Sequence, residues 1–306
     1  MSRNLQAHLA LFLVAVIYGA NFIVAKEVMG RDYIQPLAFI VLRVIAGVLL
    51  FWLFASAFVR ESIDKKDLPH IAICAIFGVA TNQLFFFSGL KLTTPINAAL
   101  IMTTTPMLVL IASALIIGER ITKRKITGII VGASGAILLI AYGKSISFNQ
   151  ENLLGDILVL INATSYGIYL VIVKPLMHKY HPVTVMKWMF SIGFWMVLPF
   201  GFGQLGQIEW SGFPTDIWWA VAYVLICTTF LAYLFNAFAL KIVNPSVVSI
   251  YIYLQPLLAA LFAICLAKDE LNMIKIVAAV LIFFGVHLVS GGKGKGPEAD
   301  KNRQQS

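Results

Sequence analysis

Long apolar segments alternate with short polar turns along almost the whole chain. Each segment is about 17–25 residues long, which is the length of helix that crosses a hydrocarbon core of about 30 Å. The apolar residues run continuously rather than at every second position, so the pattern predicts helices and excludes the strands of a membrane barrel. We therefore expect an all-α, polytopic membrane protein. Ten segments are predicted, at residues 7–25, 36–58, 70–90, 96–117, 126–143, 153–173, 183–203, 216–240, 245–267 and 274–290.

A sparse set of residues recurs at a spacing of 148–150 positions. Each copy contains five spans, an odd number, so the second copy enters the bilayer in the opposite sense and the two form an inverted repeat. We expect a first five-helix unit at 1–147, a second at 148–292 and a disordered cytoplasmic tail at 293–306, which is rich in Gly, Lys and Gln. The recurring pairs are Tyr18-Gly19 and Tyr166-Gly167, Lys26 and Lys174, Leu90-Lys91 and Leu240-Lys241, Pro95 and Pro245, Pro106 and Pro256, Lys125 and Lys275, and Gly135 and Gly285.

Composition and charge agree with this class of protein. Hydrophobic residues make up 60% of the chain and charged residues 12%, which is about half the charged fraction of a soluble domain. The net charge of +9 does not indicate a nucleic-acid partner, because the basic residues concentrate in alternate connections, as the positive-inside rule describes. Both termini are therefore predicted to be cytoplasmic. The predicted cytoplasmic set is Arg3, Arg60, Lys65, Lys66, Arg120, Lys123, Arg124, Lys125, Lys174, Lys179, Lys241, Lys293, Lys295, Lys301 and Arg303.

The fourteen carboxylates all fall in predicted loops or at span ends. A carrier driven by protons or sodium usually keeps an Asp or Glu at depth to take up the ion. Coupling through such a group is therefore disfavoured, and a gated facilitator is the simpler interpretation.

Two cations lie within spans. Arg43 lies seven residues past Pro36, and Lys187 lies five residues past Pro182 in the corresponding span of the second half. An intramembrane cation is costly and usually faces protein or water, although its long side chain can also snorkel to the interface. Both interpretations stay open for Arg43, whereas the neighbouring Trp188 favours an interfacial position for Lys187. A cation that faces a cavity without an opposing carboxylate favours a substrate with a carboxylate or phosphate.

Neutral polar residues concentrate on the first, third, fourth, sixth, eighth and ninth spans. In hydrocarbon they must bond to a neighbouring helix or line a wet cavity. We interpret them, with Arg43, as the candidate substrate-binding set: Tyr18, Asn21, Arg43, Asn82, Gln83, Asn97, Tyr166, Tyr169, Trp188, Asn236, Tyr251 and Gln255.

Two kinds of helix signal lie inside the spans. Pro106 and Pro256 fall about ten residues into the fourth and ninth spans, where each breaks a helix and is either a gating hinge or a static kink. Gly128, Gly132 and Gly135 predict that the fifth span packs closely against another helix.

Several of these features together resemble one family. They are the two five-span halves, the Tyr-Gly near the end of the first span, and the fourth-span proline followed by Gly118-Glu119-Arg120-Ile121-Thr122. Over about residues 7–290 the chain resembles the EamA family of the drug/metabolite transporter superfamily. In the second half Lys268-Asp269-Glu270-Leu271-Asn272 stands in place of the Gly-Glu motif, for which helix capping at the membrane edge is a sufficient role.

The resemblance implies ten helices, cytoplasmic termini and transport of small organic metabolites or drugs across a bacterial inner membrane. It also implies a central cavity lined by spans 1–4 and 6–9, with spans 5 and 10 at the periphery.

The resulting hypothesis is a carrier, not an enzyme, that exports or facilitates amino acids or similar zwitterions by alternating access. Its partners would be the small-molecule substrate and the lipid bilayer, with no cofactor or metal. A phosphorylated or nucleotide cargo is an alternative that needs several convergent cations, and a cationic drug is one that needs a buried carboxylate. A membrane enzyme is disfavoured because the chain has no catalytic motif such as HExxH. A scaffold is disfavoured because it has no obvious use for paired broken helices. Substrate, direction and oligomeric state stay open.

Overall fold

The computed structural model describes residues 2–30, 33–142, 150–266 and 271–291. Within these ranges every regular element is helical, and ten helices are long and apolar enough to cross a membrane. The prediction of ten spans is therefore confirmed. The helices are α1 (Arg3–Gly30), α2 (Pro36–Phe58), α3 (Lys65–Leu92), α4 (Pro95–Ile117), α5 (Lys123–Ala141), α6 (Leu153–Lys179), α7 (Pro182–Leu205), α8 (Thr215–Ile242), α9 (Pro245–Cys265) and α10 (Met273–Ser290).

Some predictions fall outside the described residues. These are the tail at 293–306 and the segment Lys268-Asp269-Glu270. The predicted unit boundary at 147/148 also lies in the undescribed part of the connection between α5 and α6, so the exact division of the chain stays a prediction.

Five of the ten helices are assembled from shorter pieces, and the interruptions of α3 and α4 recur in their counterparts α8 and α9. α3 and α8 each contain a π-helical stretch, in which the backbone bonds span five residues instead of four. The α3 pieces are Lys65–Asp67, Leu68–Ala75, Ile76–Thr81 (π) and Asn82–Leu92, and those of α8 are Thr215–Tyr223, Val224–Leu231 (π) and Ala232–Ile242. The α4 pieces are Pro95–Met102 and Thr105–Ile117, those of α6 are Leu153–Ile172 and Lys174–Lys179, and those of α9 are Pro245–Ile250, Tyr251–Tyr253 (3-10) and Leu254–Cys265.

The prolines break α4 and α9 as predicted. Pro106 is the second residue of the second piece of α4 (Thr105–Ile117), and Pro256 is the third residue of the last piece of α9 (Leu254–Cys265). A proline has no N–H to donate to the preceding turn. At the break in α4 two hydroxyls bond back to the preceding turn: Thr103 donates to the carbonyl of Leu100 (2.6 Å) and Thr104 to that of Ile101 (2.7 Å).

Helices of one half pack mainly on helices of the other. α1 packs on α8 and α9, and its repeat counterpart α6 packs on α3 and α4; α2 packs on α7, and α5 on α10. Exchanging the halves maps each of these pairs onto another or onto itself. Since five helices per half cross the membrane, the two halves enter it in opposite senses.

The repeated Tyr-Gly motif explains part of this packing. A Cβ atom on Gly19 would lie 2.8 Å from Cβ of Leu258, and one on Gly167 would lie 3.4 Å from the backbone nitrogen of Val109. Each glycine thus lets the first helix of its half approach the broken helix of the other half.

The helices α5 and α10 form a tight glycine-mediated pair. A Cβ atom added at Gly128 would lie 2.9 Å from the carbonyl oxygen of Gly285. One added at Gly135 would lie 2.9 Å from the carbonyl oxygen of Ala278. The predicted close contact of the fifth span is therefore confirmed. Both helices expose large apolar side chains such as Ile130 and Phe284, which is what a peripheral position in lipid requires.

One part of the loop prediction was wrong. Lys174 and Lys179, expected in the sixth connection, lie inside α6, which continues to Lys179. The apolar run ends before the helix does, because Lys174 gains partners at the end of α8: its Nζ donates to the carbonyls of Val243 (2.7 Å) and Leu240 (3.3 Å). A cation that bonds the last carbonyls of a helix stabilises that helix end.

We predict that Gly285→Ala destabilises the α5–α10 pair. The new Cβ would lie 2.6 Å from the backbone nitrogen of Gly132 and 2.7 Å from the carbonyl oxygen of Gly128, so the helices must separate at a cost of about 1–3 kcal/mol. The thermal midpoint in detergent should fall by several degrees.

Gly203→Ala is the matched control, because nothing lies within 4 Å of its added Cβ. It should leave the midpoint unchanged or raise it slightly. Equal midpoints for the two variants would contradict the packing role of Gly285.

Candidate functional site

The π-helical stretches of α3 and α8 bond to side chains from the opposite half. A π turn displaces the regular backbone bonds and leaves carbonyl groups with spare capacity. The Tyr233 hydroxyl of α8 donates to the carbonyl of Gly78 (3.2 Å), and the Tyr18 hydroxyl of α1 donates to that of Thr228 (3.4 Å). On α6, Ser165 donates in the same way to the carbonyl of Phe77 (2.8 Å). These bonds join the two halves around a polar centre.

Arg43 lies in this centre rather than at the membrane surface. Only 9% of the residue is exposed. Its Nε donates to Oγ1 of Thr229 (3.0 Å), and its guanidinium carbon lies 5.5 Å from the ring centroid of Phe87. Because Tyr18 bonds to Thr228, the Tyr18 hydroxyl and the Arg43 side chain contact consecutive residues of the α8 π turn.

The Arg43 guanidinium has unused donors. Arginine carries five N–H groups, and within the described part of the chain only Nε–H has a protein acceptor. No described carboxylate pairs with Arg43. Placing the cation in a helix centre costs about 2.5–3.5 kcal/mol on insertion scales. The bond to Thr229 contributes about 1.5–3 kcal/mol and the Phe87 ring about 0.5–2 kcal/mol. These two contacts offset the cost of burying the charge, and the guanidinium retains four N–H groups for an anion.

A small cavity with both polar and apolar walls adjoins Tyr18. Its volume is about 20 Å³, which is enough for a water molecule but not for an organic substrate. It brings together Tyr18, Tyr166, Asn236, Tyr251 and Gln255 from α1, α6, α8 and α9, so five of the predicted residues line one space. A substrate would require these helices to separate around the cavity.

Other predicted residues lie around the same centre. Gln83 is 2% exposed, and neither atom of its amide has a partner among the described residues. It lies one helical turn from Phe87 on the same face of α3. Tyr169 packs against Gly78, with an added Cβ there only 2.4 Å from its ring. The carbonyl of Asn82 accepts from Nδ2 of Asn162 (2.6 Å).

Three predicted residues have different settings. Asn21 follows Tyr18 on α1, with its Oδ1 buried and unpartnered. Asn97 is fully buried near the start of α4. The ring of Trp188 lies 6.0 Å from that of Trp52, and the ammonium of Lys187 lies 4.4 Å from the Trp52 ring.

These contacts separate the two intramembrane cations. Trp52 is 44% exposed, so Lys187 and Trp188 belong to the surface of the bundle in this conformation. The interfacial interpretation of Lys187 fits this placement, and no contact joins Trp188 to Arg43. A substrate-binding role for Trp188 stays a prediction.

The sequence analysis missed several residues of the centre: Asn162, Ser165, Thr228, Thr229 and Tyr233. Tyr233 could have been found, because it lies 150 residues after Gln83, at the spacing of the repeat. The threonines had no comparable signal, since nothing in the sequence marks the π turn that directs them.

Helix capping, the role given to the motif Gly118-Glu119-Arg120-Ile121-Thr122, is performed by Gly118 and Thr122 and not by Glu119. The capping group of α5 is Thr122, whose Oγ1 accepts from the backbone nitrogen of Lys125 (3.3 Å). Gly118, with φ of 67°, ends α4 in the left-handed conformation and turns the chain inward. The side chain of Glu119 is then only 3% exposed, and it accepts hydrogen bonds from Nζ of Lys125 (2.8 Å) and from the hydroxyl of Ser246.

We call the end of the bundle at which α1 begins and α10 ends the termini face. Polar contacts between exposed side chains lie there. Lys179 of α6 pairs with Asp64 and Asp67 at the start of α3, and the backbone nitrogen of His181 donates to Glu61 (2.8 Å). A hydrogen bond from Lys66, together with a second one from Lys179, holds the pKa of the Asp64 carboxyl below its usual range. Among the described residues no group of His, Cys, Asp and Glu side chains is arranged to hold a metal ion.

Known proteins share this architecture. A crystal structure with 19% sequence identity superposes with a TM-score of 0.76 and covers 98% of this chain and 99% of its own, which shows the fold. A protein of Archaeoglobus fulgidus named an uncharacterised transporter is 26% identical over 94% of this chain and 98% of its own length. The uncharacterised transporter YyaM of Bacillus subtilis is 24% identical over 94% and 95%. Protein WALLS ARE THIN 1 of Arabidopsis thaliana is 24% identical over 96% and 84%.

The family itself follows from a match in each half. A model of the EamA-like transporter family matches residues 5–141 and again residues 153–291, which together span nearly the whole chain and both five-helix halves. The chain therefore belongs to the EamA-like transporter family.

Proposed function

We propose that the protein carries a small carboxylate-bearing metabolite, an amino acid or a similar zwitterion, by alternating access. The observation that carries this proposal is Arg43: a buried cation at the meeting point of the two halves, with no described counter-ion and with free donors. A guanidinium of this kind matches a carboxylate with two parallel hydrogen bonds.

The rest of the centre suits the other end of a zwitterion. The Tyr18 and Tyr166 rings and the amides of Asn236 and Gln255 share one cavity. Aromatic faces and amide oxygens attract an ammonium group without a full negative charge. Such a site would hold a neutral zwitterion more readily than a free cation.

The alternatives lack a matching feature. A phosphorylated or nucleotide cargo needs several convergent cations, and Lys187, the other cation expected within a span, stacks on Trp52 at the bundle surface. A cationic drug would need a carboxylate, and no described carboxylate lines the cavity beside Tyr18.

The broken helices supply the movement that alternating access needs. α4 and α9 are interrupted at Thr103-Thr104 and at Tyr251–Tyr253, near the level of the cavity. An interrupted helix can pivot there while its two pieces stay intact. We assign Pro106 and Pro256 to these pivots.

We predict that Arg43→Gln lowers carboxylate transport by at least about 30-fold, because a buried hydrogen-bonded charge contributes roughly 2 kcal/mol or more to binding. The measurement is counterflow of labelled amino acids in proteoliposomes, with thermal stabilisation by the same compounds as a binding readout. Lys187→Gln removes the other cation and should leave counterflow within about twofold of the wild type. Unchanged counterflow in Arg43→Gln, with the protein folded, would remove Arg43 from the site.

We also predict that counterflow does not depend on a pH gradient. No described acid lines the cavity or pairs with Arg43, so the substrate centre offers no carboxylate to take up a proton. Initial rates should be equal with and without a gradient of about one pH unit across the proteoliposome membrane. A rate that follows the gradient would show that a proton is transported with the substrate.

Orientation can be tested separately. Basic residues concentrate on the termini face, so we propose that this face is cytoplasmic and that the membrane is a bacterial inner membrane. Green fluorescent protein fused after residue 306 should fluoresce, whereas alkaline phosphatase at the same place should be inactive. The reverse pattern would place the termini outside.

A further inference from the structure

The Gly-Glu motif after α4 places a buried carboxylate between the two halves. Glu119 belongs to the first half, and its Oε1 accepts from Lys125 of the same half and from Ser246 at the start of α9 in the second half. Ser246 is fully buried, and the Glu119 side chain is 3% exposed. We propose that Glu119 is a positioning residue of the transport cycle, which latches α4 to α9 and holds the termini face closed.

The two faces of the bundle differ at the broken helices. On the termini face the piece Thr105–Ile117 of α4 packs on the piece Pro245–Ile250 of α9. The repeat relates this pair to Pro95–Met102 and Leu254–Cys265 at the opposite face, and those two described pieces make no comparable contact. The structure is therefore asymmetric where the repeat would be symmetric, and the closed contact is the one that Glu119 joins.

The bonding pattern lets this contact open without separating charges. Lys125 and Glu119 lie on the same half, six residues apart and 2.8 Å from Nζ to Oε1. When α9 moves away, the ion pair stays together, and of the two bonds to Glu119 only the one from Ser246 breaks. Splitting a buried ion pair is very unfavourable, whereas losing one neutral donor to a carboxylate is a smaller change. This is the property expected of a latch that opens and closes in every cycle.

The ion pairs of Lys179 and the bonds of Lys174 on the termini face differ from the Glu119 contact. The pairs between Lys179 and the carboxylates of Asp64 and Asp67 join the halves, but the Lys179 and Asp64 side chains are 44% and 54% exposed. Exposed pairs contribute little. Lys174 is better buried, yet it bonds to the end of α8 within its own half.

The test uses a reporter thiol on the buried face of the α4 piece that forms the closed contact. Ser113 of α4 is fully buried and its hydroxyl has no described partner, so Ser113→Cys adds a thiol without removing a bond. The three native cysteines are first removed, Cys74 by alanine and Cys227 and Cys265 by serine. Labelling with a membrane-impermeant maleimide, added to the termini face of sealed vesicles, then measures how often that face opens.

Two variants remove the latch in different ways. Glu119→Gln removes the charge that Lys125 compensates, and Ser246→Ala removes only the bond between the halves. Each should raise the labelling rate of the reporter thiol by about tenfold, the equivalent of one hydrogen bond to a charged group. Glu151→Gln, an exposed residue at the opposite face, is the control for the first variant. Ser249→Ala is the control for the second, because its buried hydroxyl bonds only to the carbonyl of Ser246 on its own helix (3.1 Å).

The outcomes are distinct. Faster labelling in Glu119→Gln and Ser246→Ala, with both controls near the wild type, supports the latch. If Glu119→Gln fails to elute as a folded protein in size-exclusion chromatography, Ser246→Ala decides alone. Wild-type labelling in a folded Ser246→Ala variant overturns the proposal. The assay contains no substrate, so it stays informative even if the carboxylate cargo proposed above is wrong.

Discussion

Hydrocarbon offers no partner to a polar group, and this constraint organises the centre of the protein. The π turns of α3 and α8 leave carbonyls that water would satisfy in a soluble protein. Here hydroxyls from the opposite half satisfy them: Tyr233 bonds to Gly78, and Tyr18 bonds to Thr228. Arg43 then bonds to Thr229, the next residue of the same turn. The polar centre therefore exists only where the two halves meet, and a movement between the halves reaches the candidate site directly.

Around this centre the packing separates helices that stay together from helices that can part. Glycines bring α5 and α10 into backbone contact. Aromatic rings fill the contact between α2 and α7. The ring centroids of Phe51 and Phe190 are 5.3 Å apart, and a Cβ atom added at Gly47 would lie 2.2 Å from the Phe190 ring. Such dense contacts have one arrangement. α4 and α9 instead carry breaks beside the cavity and meet at one end, where Leu110 and Ile250 belong to one apolar cluster and Glu119 bonds to Ser246. Both kinds of contact suit the alternating access proposed above, in which the bundle remains folded while α4 and α9 move.

Much of the fold could be predicted because it depends on patterns that survive in the sequence. Segment length identified ten spans, Pro106 and Pro256 marked the breaks, and the glycines of the fifth span indicated a close helix contact. The recurring Tyr-Gly pointed to the repeat and to two residues that now line the cavity. The failures have a different origin. Lys174 lies inside α6 because it finds carbonyls at the end of α8, and Glu119 is buried because Gly118 turns the chain toward Ser246. Both depend on partners that are distant in the sequence, which neither periodicity nor residue type can identify. The π turns are likewise decided by tertiary contacts, so Thr228 and Thr229 gave no signal.

The central claim is that the free donors of Arg43 meet the carboxylate of the substrate. Solid-state NMR measures this most directly, by dipolar coupling between the ¹⁵N-labelled guanidinium of Arg43 and the ¹³C-labelled carboxylate of a bound amino acid in membranes. A paired carboxylate places its carbon about 4 Å from the guanidinium carbon, since the two hydrogen bonds are about 2.8 Å long. The account predicts a coupling of that strength, lost when the carboxylate is converted to an amide. A bound substrate whose carboxylate carbon lies well beyond that distance would contradict it.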